Sequence, residues 1–270
     1  MAEILQQILE AKAREVAAAR RDRSLASVRA AAERADPPRD FLGAIRQRID
    51  KGRLAVIAEI KRASPSKGVL RPGLDPHATA ESYTRGGATC LSVLTDKQFF
   101  GGELEDLRVA RKASGLPVLR KDFVIDPYQV YEARAAGADC ILLIVAALEP
   151  ARLAGLEEAA RSLGMTVVVE VHDEAELDLA LALRSPLVGV NNRDLQTFDT
   201  RIETTLSLIA RIPPDRVLVT ESGIASRADV HRLAAAGVRA FLVGEVFMRA
   251  QDPGAALAAL FAGPLEGGAA

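Results

Sequence analysis

The sequence predicts a closed barrel of eight parallel β-strands surrounded by α-helices, the (β/α)8 or TIM barrel, preceded by a helical extension. Eight apolar runs have the length of strands, and Ala- and Leu-rich helical segments separate them. Their starts recur about every 25 residues, and no hairpin signal such as Asn-Gly lies between them. Eight parallel strands favour a barrel over the alternative, a doubly wound open sheet.

The length of the chain fits one domain. A chain of 270 residues with 49% hydrophobic content can bury a large core. We expect a single domain over 1–270, with a helical extension at 1–50 and the barrel at 51–270. Apolar residues at helical spacing predict one helix over residues 1 to about 21, and a second helix is expected from Phe41 to Ile49 after the breaker Pro37-Pro38.

The charge balance and the absence of long apolar runs limit the class of partner. The formal net charge is −1, so no broad basic surface is available for nucleic acid or anionic lipid. No apolar run approaches the roughly 18 residues of a membrane span, and the charged N-terminal helix lacks a signal-peptide core. We therefore expect a cytoplasmic protein that binds neither nucleic acid nor membrane; the oligomeric state stays open, with a monomer as one option.

Cysteines and histidines give no sign of a metal centre. Cys90 and Cys140 lie in predicted strands, where buried free thiols are expected rather than a disulfide. His77, His172 and His231 are scattered without the spacing of metal ligands. We expect neither a metal nor a cofactor.

The strands are predicted from the apolar runs in order. The first begins at Leu54 and ends in the charged residues Glu59 and Lys61. The others run from Cys90 to Leu94, Pro117 to Leu119, Cys140 to Val145, Thr166 to Val171, Leu187 to Val190, Val217 to Thr220 and Ala240 to Val243.

The end of the first strand is the feature that organises the rest. Glu59 and Lys61 are two residues apart, so their side chains point to the same side of an extended backbone and could act on one ligand. The alternative is an ion pair that ends a strand. A polar loop with Ser64 follows.

Polar residues, glycines and two phenylalanines follow most of the other strands, although the strands themselves hold few polar residues. Barrels of this kind carry their chemistry at the carboxyl ends of the strands, so this asymmetry predicts a site there. The residues in question are Phe100 after the second strand, Lys121 and Phe123 after the third, Glu170 at the end of the fifth, Asn191 and Arg193 after the sixth, Glu221, Ser222 and Gly223 after the seventh, and Gly244 and Glu245 after the eighth.

Both charge signs meet in this predicted cleft. Lys61, Lys121 and Arg193 supply cations, and the glutamates supply carboxylates, so their pKa values should be pushed apart to give an acid and a base. Gly223 and Gly244 indicate a phosphate site built from backbone amides, with ordinary turn glycines as the alternative.

Three phenylalanines, Phe100, Phe123 and Phe198, are expected to face the cleft. They suit a flat apolar part of a substrate, and loop packing is the alternative. The residues themselves therefore indicate a cofactor-free enzyme that applies acid–base chemistry to a small phosphorylated molecule.

Four motifs carry a resemblance to a known family. AEIKRASPSKG at Ala58 to Gly68, LRKDF at Leu119 to Phe123, NNRDL at Asn191 to Leu195 and ESGI at Glu221 to Ile224 resemble the indole-3-glycerol phosphate synthase family of tryptophan biosynthesis. The likeness covers almost the whole chain. It implies closure of 1-(2-carboxyphenylamino)-1-deoxyribulose 5-phosphate to an indole, with loss of carbon dioxide and water.

The resemblance also implies a role for each candidate. Lys121 resembles the general acid that protonates the ribulose carbonyl, and Glu170 the carboxylate of the later dehydration, with Lys61 as a proton donor in the same step; which of the two handles each proton stays open. The remaining implied roles are orientation of catalytic groups by Glu59 and Asn191, contacts to a lysine or a hydroxyl by Glu221, a substrate hydrogen bond by Ser222, support of the charged network by Arg193, phosphate binding by Lys61, Gly223 and Gly244, substrate binding by Ser64, and a wall around the anthranilate ring by Phe100, Phe123, Leu142, Leu195 and Phe198.

One residue departs from the family pattern, and two rival functions remain. Glu245 stands where some relatives carry serine against the phosphate, and its carboxylate would repel the ligand unless it turns away. A Schiff-base aldolase could use Lys121 or Lys61 as its nucleophile. A non-catalytic sensor of phosphorylated ligands could share the scaffold.

Overall fold

A computed structural model describes residues 3–262, and eight of its strands close into a parallel barrel. The strands are β1 (Ala55–Ile60), β2 (Cys90–Leu94), β3 (Val118–Lys121), β4 (Cys140–Ile144), β5 (Thr166–Val171), β6 (Leu187–Asn191), β7 (Val217–Glu221) and β8 (Ala240–Val243). Each strand pairs in parallel with the next, and β1 pairs with both β2 and β8. The predicted fold class is confirmed. The predicted domain of 1–270 and the helix expected from residue 1 include residues 1–2 and 263–270, which lie outside the described residues.

Helices precede the barrel, cover its outside and follow the last strand. Three come first: α1 (Glu3–Asp22), α2 (Leu25–Arg34) and α3 (Phe41–Asp50). The others are α4 (Pro76–Arg85), α5 (Lys97–Phe100), α6 (Leu104–Ser114), α7 (Pro127–Ala135), α8 (Pro150–Ser162), α9 (Glu174–Leu181), α10 (Glu203–Leu208), α11 (Arg227–Ala235), α12 (Glu245–Arg249) and α13 (Pro253–Leu260).

Helix α2 lies in a stretch for which the hydrophobic pattern predicts no helix. Its start is marked by Ser24, whose hydroxyl accepts a hydrogen bond from the backbone N–H of Ser27 at 3.2 Å. A serine in that position satisfies one of the free N–H groups of the first turn. The capping residue was therefore the available signal.

The barrel interior is filled by alternate residues of each strand. Ile57, Leu119 and Val168 are completely buried there, and Phe41 and Ile45 of α3 pack against the same cluster. Period two sends every second side chain inward, so an apolar lower layer and a polar upper layer can share one strand. Helix α3 covers the amino end of the barrel.

The two cysteines belong to this interior cluster. Cys90 and Cys140 are buried free thiols, as predicted. Burial raises the pKa of both thiols well above the ordinary value, because the interior disfavours the charged thiolate.

Three strands run further than the sequence predicts. β3 ends at Lys121, β6 at Asn191 and β7 at Glu221, each beyond its last apolar residue. Within the ladder, Lys121 lies opposite Leu94, and Asn191 lies opposite Glu221. The predicted strands stop too early because a polar residue can stay in a ladder when other polar groups surround its inward side chain.

The segment after β1 also differs from the predicted plain loop. Ala63–Ser64 and Gly68–Val69 pair as a short antiparallel ribbon, which turns at Gly68 with a φ of 65°. Glycine adopts this left-handed conformation without the steric cost that a side chain adds. The ribbon folds this segment back over the carboxyl end of the barrel.

Candidate active site

A cleft lies at the carboxyl end of the barrel, and its empty space together with the solvent at its mouth is about 1180 Å³. Every residue that the sequence singles out as a catalytic or binding candidate lines it, from Glu59 on β1 to Gly244 after β8. The wall also includes apolar and polar residues that sequence reasoning did not single out: Ile4, Leu5, Ile8, Pro65, Ser66, Leu94, Asp122, Ile144, Ile224, Leu242 and Val243.

Lys121 is the centre of the charged floor of the cleft. Its Nζ lies 2.9 Å from Oε2 of Glu170 and 3.1 Å from Oε2 of Glu221. Both glutamates are buried, since their residues are 2% exposed. Burial alone would lower the pKa of the lysine, but the carboxylates of Glu170, Glu221 and Glu59 outweigh it and hold that pKa well above its ordinary value. Lys121 is therefore a charged ammonium at neutral pH.

The two carboxylates that share Lys121 titrate in opposite directions. Burial raises the pKa of Glu221 to about 7, with help from the charge on Glu170 and against the effect of Lys121. Burial would raise the pKa of Glu170 as well, but Lys121, His172 and a hydrogen bond from Asn191 lower it to about 2. One ionised carboxylate and one protonated carboxyl group can thus coexist near neutral pH, which is the arrangement that acid–base chemistry needs.

Asn191 and Gly189 shape this pair from β6. The side-chain amide of Asn191 donates to Oε1 of Glu170 at 3.1 Å. A Cβ on Gly189 would lie 2.5 Å from Oε1 of Glu221, so only glycine leaves room for that carboxyl group. Within residues 3–262, Oε1 of Glu221 has no hydrogen-bond partner.

Glu59 and Lys61 form the ion pair expected at the end of β1, and they do so inside the cleft. Nζ of Lys61 lies 2.5 Å from Oε1 of Glu59, and the Glu59 side chain is 6% exposed. The two sequence interpretations, a strand-ending ion pair and a site, are compatible.

The turn after β7 has an uncommon backbone. Ser222 has a φ of 64° and Gly223 one of 75°. A left-handed conformation is ordinary for glycine but costs energy for serine, and such residues concentrate at functional sites. Asn192 helps to hold the turn, since its amide donates to the carbonyl of Ser222 at 3.0 Å.

Aromatic rings form one side of the cleft. The rings of Phe100 and Phe123 have centroids 6.2 Å apart at an angle of 37°. Asp96 caps α5 by accepting the backbone N–H of Phe99 at 2.7 Å, which fixes the helix that carries Phe100. Phe198, Leu142 and Leu195 line the same cleft.

Comparisons with known proteins match this chain almost from end to end. The family model described as "Indole-3-glycerol phosphate synthase" matches residues 5–260. The chain belongs to the indole-3-glycerol phosphate synthase family. A curated relative with that name from Polaromonas sp. (strain JS666 / ATCC BAA-500) is 59% identical over 261 residues, which cover 97% of this chain and 99% of the relative. Another from Laribacter hongkongensis (strain HLHK9) is 60% identical over 263 residues, covering 97% and 100%.

Membership in the indole-3-glycerol phosphate synthase family makes this chain an enzyme of tryptophan biosynthesis and a carbon–carbon lyase. Solved structures with low sequence identity share the fold alone. The tryptophan synthase subunit alpha from Legionella pneumophila str. Paris has a TM-score of 0.60 at 14% identity and covers 82% of this chain and 96% of its own. The 3-hexulose-6-phosphate synthase from Salmonella typhimurium has a TM-score of 0.61 at 14% identity and covers 77% and 98%.

Glu245, the departure from the indole-3-glycerol phosphate synthase pattern, turns toward arginines. Its Oε2 lies 3.5 Å from Arg193, and its Oε1 lies 3.3 Å from Arg249 in α12. Arg193 also donates to the hydroxyl of Ser66 and to the carbonyl of Phe198. The guanidinium groups of Arg193 and Arg249 offset the negative charge of Glu245, which lines the cleft.

Helix α1 lies across the mouth of the cleft, where sequence reasoning identified no site residue. Ile4, Leu5 and Ile8 line the cleft from this helix. The helix is fixed by Lys12, whose Nζ lies 2.9 Å from Asp96 and 3.0 Å from Asp122. Burial opposes the charged form of Lys12, but these carboxylates and Glu15 raise its pKa well above the ordinary value.

The described part of the chain contains neither a cluster of metal ligands nor a membrane-spanning helix. Across residues 3–262, no three His, Cys, Asp or Glu side chains come together in a way that could hold a metal ion. None of the helices in that range combines the length and apolar character of a membrane span.

Proposed function

We propose that this cleft closes 1-(2-carboxyphenylamino)-1-deoxyribulose 5-phosphate to indole-3-glycerol phosphate, and that Lys121 is its general acid. The observation that supports this most is the buried ammonium of Lys121 between Glu170 and Glu221. In this reaction an aromatic ring carbon bonds to the ribulose carbonyl carbon, and the carbonyl oxygen takes a proton. The carboxylate leaves as carbon dioxide and returns its electron pair to the ring, and water is then lost.

The protonated state of Lys121 suits the first of these steps. An amine that is always protonated at neutral pH carries the proton that the carbonyl oxygen needs as carbon attacks it. The ammonium also stabilises the negative charge that develops on that oxygen, and a partly dry cleft strengthens this effect. A positioned acid typically contributes about 10² to 10⁴ in rate.

The dehydration is assigned to the carboxylate side of the cleft. Glu170 is ionised because of its lowered pKa, so it can accept a proton, and Lys61 can donate one to the departing hydroxyl. Glu59 holds Lys61, Asn191 holds Glu170, and Glu221 holds Lys121 from its second side.

Substrate binding is assigned to the two ends of the cleft. Ser222, Gly223, Gly244 and Lys61 would take the phosphate, which lies far from the reacting carbons and can therefore anchor the flexible ribulose chain. The anthranilate ring would lie against Phe100, Phe123, Leu142, Leu195 and Phe198, with Ser64 and Arg193 as polar contacts.

The rival aldolase is less well supported. A lysine that forms an imine with a substrate carbonyl needs a depressed pKa, whereas the carboxylates around Lys121 raise its pKa. Borohydride with a keto sugar phosphate would trap a covalent adduct if the aldolase were correct.

A direct assay tests the proposal. Purified protein is mixed with the anthranilate-derived ribulose phosphate without added metal or nucleotide, and the growth of indole fluorescence is followed. We expect product from the wild type and none from Glu170→Gln. A wild-type protein that binds the compound without forming an indole would contradict the proposed reaction.

The proposal extends to the state of the protein in the cell. We propose a cytoplasmic monomer without a nucleic-acid partner, supported by its two buried free thiols. The exposed large apolar residues Leu25, Val69 and Leu179 lie on three separate elements, which does not favour a large apolar interface. Light scattering coupled to size exclusion would test the monomer.

A further inference from the structure

The imidazole of His172 lies between two carboxylates at the edge of the active cleft. Nδ1 is 2.9 Å from Oε2 of Glu176, and Nε2 is 3.5 Å from Oε1 of Glu170. The side chain is 13% exposed, and its buried Nε2 has no hydrogen-bond partner among the described residues. The only charged group of the proposed mechanism that it approaches at this distance within residues 3–262 is Glu170.

Local structure fixes the ring in this position. Glu176 sits in the first turn of α9, where Asp173 caps the helix by accepting the Glu176 backbone N–H at 2.9 Å. Oε2 of Glu176 accepts the backbone N–H of His172 at 2.9 Å as well as facing the ring. The backbone N–H and the ring Nδ1 of His172 thus both contact the carboxylate of Glu176.

The acidic residues next to Glu176 on helix α9 do not face His172. Glu174 and Asp178 both pair with Arg211, at 2.6 Å each. Of these three acidic residues of α9, Glu176 is therefore the one that pairs with His172.

The asymmetry between Glu170 and Glu221 needs a cause beyond Lys121. Both carboxyl groups are equally buried, and both lie within 3.1 Å of the same ammonium. They differ in their second oxygen, because Oε1 of Glu170 faces Asn191 and His172, whereas Oε1 of Glu221 has no hydrogen-bond partner in the described part of the chain. Asn191 is neutral, so His172 is the group on this side that can add a positive charge.

We propose that His172, held by Glu176, is a positioning residue that decides which of the two carboxyl groups beside Lys121 carries the shared proton. It keeps Glu170 ionised and leaves the proton on Glu221. The inference rests on the proposed role of Glu170 in the dehydration step.

The charges around His172 favour its cationic form. Glu170 faces it from β5, Glu176 from α9, Glu221 from β7 and Asp194 from the loop after β6, while Lys121 lies beyond Glu170. Burial by itself lowers the pKa of His172, but the hydrogen bond to Glu176 and the charge of Glu170 outweigh it and raise that pKa. The histidine is thus charged in the acidic range in which the two glutamates hold one proton between them.

The pH profile of His172→Gln tests the inference. Glutamine keeps a polar side chain but has no charge, so the pKa of Glu170 should rise, by about one unit or more for the loss of a cation at this distance. We expect the acid limb of the kcat profile, where Glu170 takes up its proton, to move to higher pH by about that shift, and kcat to equal the wild-type value at about pH 8.5, where both carboxyl groups are ionised in either protein. KM should change little. A loss of kcat that is equal at all pH values would indicate a merely structural role and would overturn the inference.

A titration of the histidine ring gives a readout that does not depend on activity. The chain has 3 histidines, so the ring resonances of His172 can be assigned by comparison with His172→Gln. We expect His172 to titrate above the ordinary histidine pKa of about 6.5 in the wild type, and lower in Glu176→Gln. The matched control is Glu174→Gln, which removes the same charge from the same helix turn and should leave both the titration and kcat unchanged. An unshifted His172 in the wild type would overturn the inference.

Glu170→Gln separates this inference from the proposed function. If that variant turns over normally, the role of Glu170 is wrong, and the inference falls with it. If that variant is inactive while His172→Gln keeps the wild-type pH profile, only the inference about His172 fails.

Discussion

A Cβ atom added to Gly244 would lie 2.7 Å from the Cβ of Glu59. The same atom would lie 2.7 Å from Oε1 of Glu59, so the close approach of these two residues requires glycine here. The glycine after β8 is therefore coupled to the carboxylate that holds Lys61.

Replacing this glycine should lower kcat more than it weakens phosphate binding. In Gly244→Ala the new methyl group displaces Glu59, and Lys61 loses its partner. Misplacement of a catalytic group by about 1 Å can cost roughly 10²-fold, so we expect kcat to fall by about that factor in steady-state assays.

The matched control for this variant is Gly155→Ala in α8, where a Cβ meets no atom within 4 Å. It should keep full activity and gain up to about 1 kcal/mol of stability, because alanine favours a helix over glycine. Weaker inhibition by inorganic phosphate with an unchanged kcat in Gly244→Ala would show that the glycine serves the phosphate instead.

Lys121→Met should remove the acid and leave most of the binding surface. We expect kcat to fall by about 10² to 10⁴ with a small change in KM, because the lost interaction is made mainly in the transition state. Glu170 and Glu221 would also lose their buried counterion, and we expect a lower free energy of unfolding, by roughly 3–5 kcal/mol. Stopped-flow fluorescence and urea unfolding measure the two effects.

Lys112→Met on the exposed surface of α6 is the control, with both quantities near wild type. A near-normal kcat in Lys121→Met would refute the role of Lys121 as the acid.

Glu221 should make the stability of the fold depend on pH. Its pKa is raised from 4.5 to about 7 on folding, so its contribution to stability is complete below about pH 4.5 and is lost as the pH rises through 7. In Glu221→Gln this loss is absent. The difference in unfolding free energy between the variant and the wild type should therefore change in favour of the variant, on the order of 3 kcal/mol between pH 4 and pH 8.

Urea unfolding of both proteins at several pH values measures this trend. Because Glu170 has the opposite shift, its contribution is lost as the pH falls below about 4.5 toward 2, which overlaps only the acidic end of this range, and Glu170 is present in both proteins. A constant difference between the two proteins would mean that the pKa of Glu221 does not change on folding.

Lys12→Met should release helix α1 from the barrel. The substitution leaves Asp96 and Asp122 buried without their cation, and breaking such a buried pair typically costs about 3–5 kcal/mol. We expect faster proteolysis near α1 and a higher KM, since Ile4, Leu5 and Ile8 line the cleft.

Lys97→Met is the control for that experiment, because the Lys97 side chain is 80% exposed and its pair with Glu103 is open to solvent. Exposed pairs of this kind contribute about 0–1 kcal/mol. Equal protease sensitivity in the two variants would show that Lys12 does not hold the helix.

The barrel could be predicted because its signal is local and repeated. Each apolar run fixes a strand and its spacing fixes the parallel connection, and the polar residues that follow mark the open end of the barrel. The two-residue spacing of Glu59 and Lys61 likewise predicts that their side chains point to the same side of the strand, because this depends only on the alternation of side chains along the backbone.

The residues that were missed act through tertiary contacts. Lys12 has the sequence context of a solvated lysine on a charged helix, and only the fold brings it between Asp96 and Asp122. His172 does not have the sequence spacing of a metal ligand. Its proposed role depends on the first turn of α9, which places the carboxylate of Glu176 against the imidazole ring. The ends of β3, β6 and β7 were predicted too early because polarity was taken as the end of a strand.

Lys121, Asn191 and Glu221 belong to the hydrogen-bonded ladder, whereas Ser64, Leu195 and Phe198 belong to connecting segments. Lys121 and Glu221 are thereby anchored to barrel strands, whereas most of the contacts that select a ligand, with the exception of Leu142 on β4, are not. Over evolutionary time the connecting segments can diverge and admit a different molecule, while the inherited acid and bases keep their mutual geometry.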